Sequence, residues 1–316
     1  MLDAILDASI FWSFDASGYR RHARRFRARD LEVELRGRTY LVTGANGGIG
    51  QQVARSLAGL GADVYMACRS LERGERALRE VRAQAPGARI ERVQLDVSSL
   101  ADVRRFAGQF APARLDGLVH NAGLIPERRV LTAEGLELAL ATHVVGPFLL
   151  SRLLEPKLAA AKPGRVVFVS SGGMYTMALS LEDLDWSKRE YGGVAAYAHT
   201  KRMQVVLSEL FAEHWKEREI VAHSMHPGWA DTGGLQGSLP GFTRFMQGRL
   251  RSAEQGADTI VWLCAAHEPI ASNGRFWFDR RPARTHLLPL QGESAQDRRA
   301  LWELCERASG AGAASD

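Results

Sequence analysis

Leu41-Val42-Thr43-Gly44-Ala45-Asn46-Gly47-Gly48-Ile49-Gly50 decides how this chain folds. The apolar, β-branched run Thr39 to Thr43 reads as a strand. Behind the turn, apolar residues recur at Ile49, Val53, Leu57 and Leu60, the spacing of a helix. A glycine-rich turn between strand and helix suits phosphate. Glycine lets backbone N–H groups crowd an anion without Cβ interference, and a helix starting near Gly48 aims its positive dipole end at the same point. Taken alone, the turn also suits a plain tight connection, so its meaning rests on what surrounds it.

Outward from this turn the alternation continues. The pattern predicts strands at Arg38 to Thr43, Val64 to Cys68, Ile90 to Leu95, Leu115 to His120, Arg165 to Ser170, Ile220 to His226 and Arg275 to Phe278. Helices are predicted at Gly48 to Gly59, Leu71 to Gln84, Leu100 to Phe110, Thr132 to about Ala161, Ala195 to Lys216 and Ala253 to Ala265. Strands leading into helices imply an α/β fold: a single Rossmann-type, doubly wound parallel sheet of about seven strands with helices on both faces. Residues 1–35 form an aromatic and basic arm and residues 36–290 the dinucleotide-binding domain, with a substrate lobe at about 229–250. Residues 291–316 hold a surface helix at 294 to 308 and a disordered tail from Ser309 to Asp316.

Composition narrows the function classes. The 316 residues carry a formal charge of +5, mildly basic and mostly from arginine, which suits a partner bearing several phosphates. Nucleic acid is disfavoured, because neither zinc-ligand spacing nor a basic and aromatic stripe is present. The odd, scattered Cys68, Cys264 and Cys305 argue for a reducing compartment, hence a cytoplasmic protein. No window reads as a transmembrane helix, and Asp3 and Asp7 interrupt the apolar residues 1 to 14, against a signal peptide. Ile10, Phe11, Trp12 and Phe14 precede arginines at 20, 21, 24, 25, 27 and 29. A terminal helix docked on the domain is the preferred reading; peripheral membrane contact through residues 1–29 is the alternative.

Tyr197 and Lys201 are four apart, on one face of a helix. An ammonium near a phenol favours phenolate, so the spacing predicts a tyrosine with a lowered pKa that serves as acid or base. Ser171 ends the central strand, where α/β sheets place ligands, and its hydroxyl suits a substrate oxygen.

Together these residues resemble the short-chain dehydrogenase/reductase family over roughly residues 36 to 285. Thr43 to Gly50 matches the family's T-G-x-x-x-G-x-G cofactor loop, Asn121-Ala122-Gly123 its N-A-G motif and Tyr197 to Lys201 its Y-x-x-x-K. Ser171 matches the family serine, and Pro227-Gly228 through Ala230 to Thr232 the P-G-x-x-x-T segment beside the nicotinamide. The resemblance implies hydride transfer between a nicotinamide cofactor and a carbonyl or alcohol. Ser171 would orient the oxygen, Tyr197 would exchange its proton, and Lys201 would hold the nicotinamide ribose and tune the tyrosine. The cofactor-binding set it implies is Thr43, Gly44, Asn46, Gly48, Ile49, Gly50, Arg69, Asp96, Val97, Asn121, Ala122, Gly123, Tyr197, Lys201, Pro227, Gly228, Ala230 and Thr232. No metal is implied.

One position departs from the pattern. His143 stands where the family has an asparagine whose main-chain carbonyl serves a proton relay. Pro147 has no N–H to offer the carbonyl four residues back, so the oxygen of His143 is expected to stay open and the relay to survive. Cofactor choice follows from the second strand, which ends in Cys68-Arg69 rather than in an acidic residue, and this favours NADP(H).

Met174, Tyr175, Trp186, Trp229, Leu235, Phe242 and Phe245 suggest an apolar pocket for a lipophilic carbonyl or alcohol. Core or lid packing is the competing explanation. Two rival functions are a non-catalytic NADP(H)-binding sensor, kept open by His143, and an extended-type nucleotide-sugar epimerase or dehydratase, whose loop Gly44, Gly47 and Gly50 also fit. The family often assembles through helices equivalent to 133 to 161 and 195 to 217; a homo-oligomer is open, and so is an N-terminal arm covering that face.

Overall fold

A computed structural model describes residues 6–7, 9–232, 236–237, 240–287 and 292–311. Leu235, the first five residues and the end of the tail fall outside the described residues. The strands are β1 (Thr39–Thr43), β2 (Asp63–Cys68), β3 (Ile90–Gln94), β4 (Gly117–His120), β5 (Gly164–Val169), β6 (Ile220–His226), β7 (Phe276–Phe278) and β8 (Arg281–Pro282). They form one sheet in the order β3-β2-β1-β4-β5-β6-β7-β8. Every pairing is parallel except β7 with β8. The sheet is therefore the expected doubly wound type with one strand more. The two-residue β8 escapes sequence reading because it is too short for any periodicity and contains a proline.

The helices are α1 (Ile10–Phe14), α2 (Ala16–Ala23), α3 (Gly48–Gly59), α4 (Leu71–Gln84), α5 (Leu100–Gln109), α6 (Gly146–Ala159), α7 (Gly193–His214), α8 (Pro240–Phe245), α9 (Ala253–Ala265) and α10 (Ala295–Ser309). One core lies between the sheet and α5, α6, α7 and α10, centred on Phe148, Phe168 and Phe211. The other lies between the sheet and α3, α4 and α9, with Tyr40, Leu57 and Trp262. Strand order reverses between β1 and β4, which opens a crevice at their carboxyl ends.

Three expectations need correction. The helix expected from Thr132 begins at Leu138, because Leu131 pairs with Glu137 across a turn at Gly135, whose φ of +77° favours glycine. The run Leu138–Ala159 is long and apolar enough to cross a membrane, contrary to the sequence reading, but it is mostly buried within the protein. The C-terminal helix is no surface appendage. Leu301 and Cys305 of α10 are fully buried, and Trp302 meets Phe148 and Phe211 edge-on at 5.0 and 5.1 Å. Thus α10, not the N-terminal arm, covers the α6 and α7 face. Arg298 with Glu213 at 2.9 Å and Arg152 with Glu306 at 3.2 Å frame that contact.

Candidate active site

The glycine turn lies at the crevice. Gly44 and Gly48 have φ of +66° and +54°, which side chains rarely adopt. A Cβ on Gly50 would stand 2.4 Å from Asn121 Nδ2 and 2.5 Å from the Gly44 carbonyl. The N-cap residue of α3 is Gly47, which has no side chain to cap the first N–H groups at the turn. These features fit a cofactor pyrophosphate: backbone donors, no side chains in the way, and room at Gly47, where an added Cβ would meet nothing within 4 Å.

Several motif residues hold this geometry by binding one another. Thr43 Oγ1 donates to the Val119 carbonyl at 3.1 Å and accepts from the Asn121 and Ala122 N–H groups at 3.0 and 3.1 Å. Asn121 Nδ2 donates to the Thr43 and Gly44 carbonyls at 3.0 and 3.3 Å. The ends of β1 and β4 are thereby stitched together. Asp96 accepts from Ser98 N–H and Oγ at 3.0 and 2.6 Å, while Ser99 caps α5. Val97 is buried, and its carbonyl packs so closely on Gly146 that a Cβ there would have no space. Ile49 packs against Gly256 of α9, as does Ala230. The Thr232 methyl stands 3.1 Å from the Cβ position of Gly48, on the far side of the crevice. Gly228, at φ +75°, gives Arg251 passage beneath the loop that begins at Pro227.

At the end of β5, Ser171 caps a short 3-10 turn and accepts the Gly173 N–H at 3.2 Å. Its hydroxyl is near enough to that of Tyr197 to lower the tyrosine pKa. A Cβ on Gly173 would lie 3.6 Å from Ser171 Oγ and 3.8 Å from the Tyr197 ring, so that glycine sits beside both groups. Lys201 Nζ sits 5.4 Å from the Tyr197 ring centroid and donates to the Val169 carbonyl and Gln204 Oε1, each at 2.8 Å.

The electrostatics differ from the sequence expectation. Burial raises the Tyr197 pKa, and the neighbouring Ser171 hydroxyl offsets only part of that rise. Lys201 does not reverse it, because burial pulls the ammonium itself down to about 7. In the unfolded chain that group would titrate near ~10.4. Between these values the unfolded state binds a proton that the native state lacks, so the penalty that Lys201 places on the stability of the ligand-free protein should fade as pH rises from about 7 to about 10. Urea unfolding across that range, with Lys201→Met as the variant that loses the slope, checks this.

His143 is fully buried in a π-helical segment, Ala141–Val145, just ahead of α6. Its Nε2 accepts the Leu124 N–H at 3.1 Å, which places the ring proton on Nδ1, donating to Thr200 Oγ1 at 2.7 Å. Thr200 donates in turn to the Tyr197 carbonyl at 2.9 Å. Burial, then the Lys201 charge, keeps the imidazole neutral. The widened turn binds the Gly146 N–H to the Ala141 carbonyl, and Pro147 offers no N–H to the His143 carbonyl. The side chain thus ties the N-A-G segment to the tyrosine-bearing helix.

Sequence reasoning missed Arg73. In the amide orientation that satisfies its neighbours, the Asn46 oxygen accepts from Arg73 Nε and Nη2 at 3.2 Å each. For Met174 and Tyr175, where pocket and core were both open, the structure decides for packing. Met174 is buried with Val205 and Phe276, and Tyr175 packs on that cluster with its hydroxyl on the Arg284 carbonyl at 2.6 Å. Trp186 is likewise buried, against Tyr191. Trp229 and Phe242 do meet, at 5.2 Å, whereas Phe245 is exposed.

The family model for short chain dehydrogenase matches residues 38–240. The chain belongs to the short-chain dehydrogenase/reductase family. Human dehydrogenase/reductase SDR family member 12 is 37% identical over 93% of both chains. The segments 170–174, 225–232, 255–259 and 285–287 already resemble that group in the sequence. Mouse retinol dehydrogenase 13 is 31% identical over 88% of this chain and 86% of its own. Among solved structures, an uncharacterized protein from Mycobacterium paratuberculosis superposes with a TM-score of 0.71 at 27% identity, over 88% of this chain and 95% of its own. A candidate NAD(P) dependent gluconate 5-dehydrogenase from Beutenbergia cavernae, with bound NADP, gives 0.62 at 27%, over 77% and 95%.

Proposed function

We propose that this short-chain oxidoreductase uses NADP(H) to interconvert a carbonyl and an alcohol on a lipophilic small molecule. The observation that carries the reading is the meeting of Tyr197 with Ser171 at the end of β5 and with Lys201, whose Nζ also lies 3.7 Å from the Cβ position of Gly123 after β4. The nicotinamide would supply or accept the hydride. Ser171 orients the substrate oxygen, Tyr197 donates or removes its proton, and Lys201 holds a charge beneath them that bound ribose and substrate would stabilise. NADP(H) rather than NAD(H) is supported by the end of β2. Burial lifts the Cys68 thiol to about 11 while Arg92 and Arg73 pull against it, so guanidinium groups flank the strand end where an acidic residue would select NAD(H). Exposed Arg69 adds a third.

Nicotinamide fluorescence titrations test this. NADPH should bind at least about tenfold tighter than NADH, the worth of one or two charge-assisted hydrogen bonds, and Arg69→Ala/Arg73→Ala should erase the difference. A tenfold preference for NADH overturns it. Consumption of NADPH against a panel of lipophilic carbonyls separates the enzyme from a non-catalytic sensor, which would bind and consume none. His143 favours the enzyme, since its ring joins Leu124, beside the N-A-G segment, to Thr200 of the tyrosine-bearing helix. The match over residues 38–240 favours this family over an extended epimerase. A cytoplasmic setting is supported by Cys68, Cys264 and Cys305, all free and buried.

A further inference from the structure

We propose that the N-terminal arm is a brace for the catalytic serine: Phe14 seals His226 so that its imidazole holds the backbone next to Ser171. The proposal rests on the role given to Ser171 above. Phe14 and His226 are then positioning residues, since neither touches the reacting atoms.

The contacts run in one chain. His226, the last residue of β6, accepts the Gly172 N–H on Nδ1 at 2.9 Å. Phe14 stands edge-on to the His226 ring at 4.3 Å, and Phe278 stacks on it at 5.2 Å. Gly172 has no side chain because Phe14 fills that place: a Cβ there would lie 2.6 Å from Phe14 Cε2. The position of Phe14 is itself fixed through the backbone. Its carbonyl accepts from Trp229 N–H and Arg251 Nε, each at 2.9 Å, and Arg251 also reaches the Ser13 and Asp15 carbonyls at 2.9 and 3.2 Å. Arg251 is fully buried and paired through two hydrogen bonds with Asp279, at 2.6 and 2.8 Å, and His22 of α2 meets the same carboxylate at 2.6 Å.

Because Nδ1 accepts, the ring proton of His226 belongs on Nε2, which has no hydrogen-bond partner among the described residues and is surrounded by Phe14, Phe278 and Gly172. Protonation would put a donor at Nδ1 facing the Gly172 N–H and release the serine segment. The charges facing His226 are Arg251, which opposes protonation, and Asp279, which favours it, with His22 behind Asp279; burial outweighs both and holds the pKa down at about 3. Without the Phe14 ring, water reaches the imidazole and its pKa returns toward ~6.5.

Nitrogen-15 histidine NMR on the full chain, with His226→Asn to assign the signal, tests this directly. In the wild type His226 should show the Nε2–H tautomer and not titrate down to about pH 5, whereas in Phe14→Ala it should titrate near ~6.5. In NADPH consumption with an active carbonyl, kcat of Phe14→Ala should then fall about tenfold between about pH 7.5 and 5.5, following the neutral fraction, with NADPH affinity unchanged. Adding His226→Asn, whose amide oxygen accepts the Gly172 N–H without titrating, should remove that acid limb. Phe14→Leu, which keeps most of the apolar volume, gives a smaller shift and serves if the alanine variant does not fold. Equal titration of His226 in wild type and both Phe14 variants, or an acid limb that survives His226→Asn, overturns the brace. If the protein consumes no NADPH at all, the redox reading fails while the NMR titration still decides this one.

Discussion

Replacing Tyr197 by phenylalanine should lower kcat for NADPH-dependent carbonyl reduction by about 10²- to 10⁴-fold while leaving NADPH affinity within a factor of about two. The ring would keep its edge-on contact with His143, at 5.5 Å, and only the hydroxyl beside Ser171 would go. A positioned acid or base is worth that much because the proton must move as charge develops on the substrate oxygen. The raised phenol pKa of the ligand-free site carries a second consequence. Burial favours the neutral phenol, so reduction, which needs a proton donor, is served over a broad pH range, and oxidation of an alcohol should accelerate as pH rises. Steady-state kinetics in both directions from about pH 6 to 10, paired with fluorescence titration of NADPH, checks this. Retained turnover in Tyr197→Phe would move the proton transfer to another group.

Arg251→Met should cost about 3–5 kcal/mol of unfolding free energy, the second large effect. The loss comes less from the missing attraction than from what remains. Asp279 would keep His22 but lose its buried cation, and the carbonyls of Ser13, Phe14 and Asp15 would lose their donor. Burial alone would lift the Asp279 carboxyl, but Arg251 and His22 together outweigh it and hold the pKa below its usual value. A depressed carboxylate contributes stability that is present above its unfolded value of ~3.9 and lost as pH falls through the folded one. The difference between wild type and Arg251→Met should therefore shrink in acid. Urea unfolding at neutral and acid pH measures it, and Arg251→Met/Asp279→Leu should recover part of the loss because no charge is left buried alone.

What could be read from the chain before folding was local. The glycine turn and the Tyr197–Lys201 spacing are set by neighbours in sequence, and both landed at the crevice. Helix α3 and strand β6 began and ended where apolar spacing put them. The unreadable parts join distant residues. Arg251 and Asp279 are 28 apart, His226 and Gly172 54 apart, and Phe14 precedes its partners by more than 150 positions; no spacing marks such pairs. For the large apolar residues near the site, pocket and core packing stayed open alternatives, and Met174 and Tyr175 prove to be packing, because such side chains look alike in core and in cleft. The wide turn at His143 also went unseen. Pro147 signalled a break in bonding there, but not that the helix would absorb it by adding a residue to one turn.

Strand β8 is two residues long, and Pro282, opposite Trp277, has no N–H to offer outward. That side of the molecule presents almost no ladder for another chain to extend, so self-association by strand addition is blocked there before any charged residue is needed to prevent it. Concentrated solutions should owe whatever clumping they show to the opposite border, at β3, where five residues run parallel to a single neighbour.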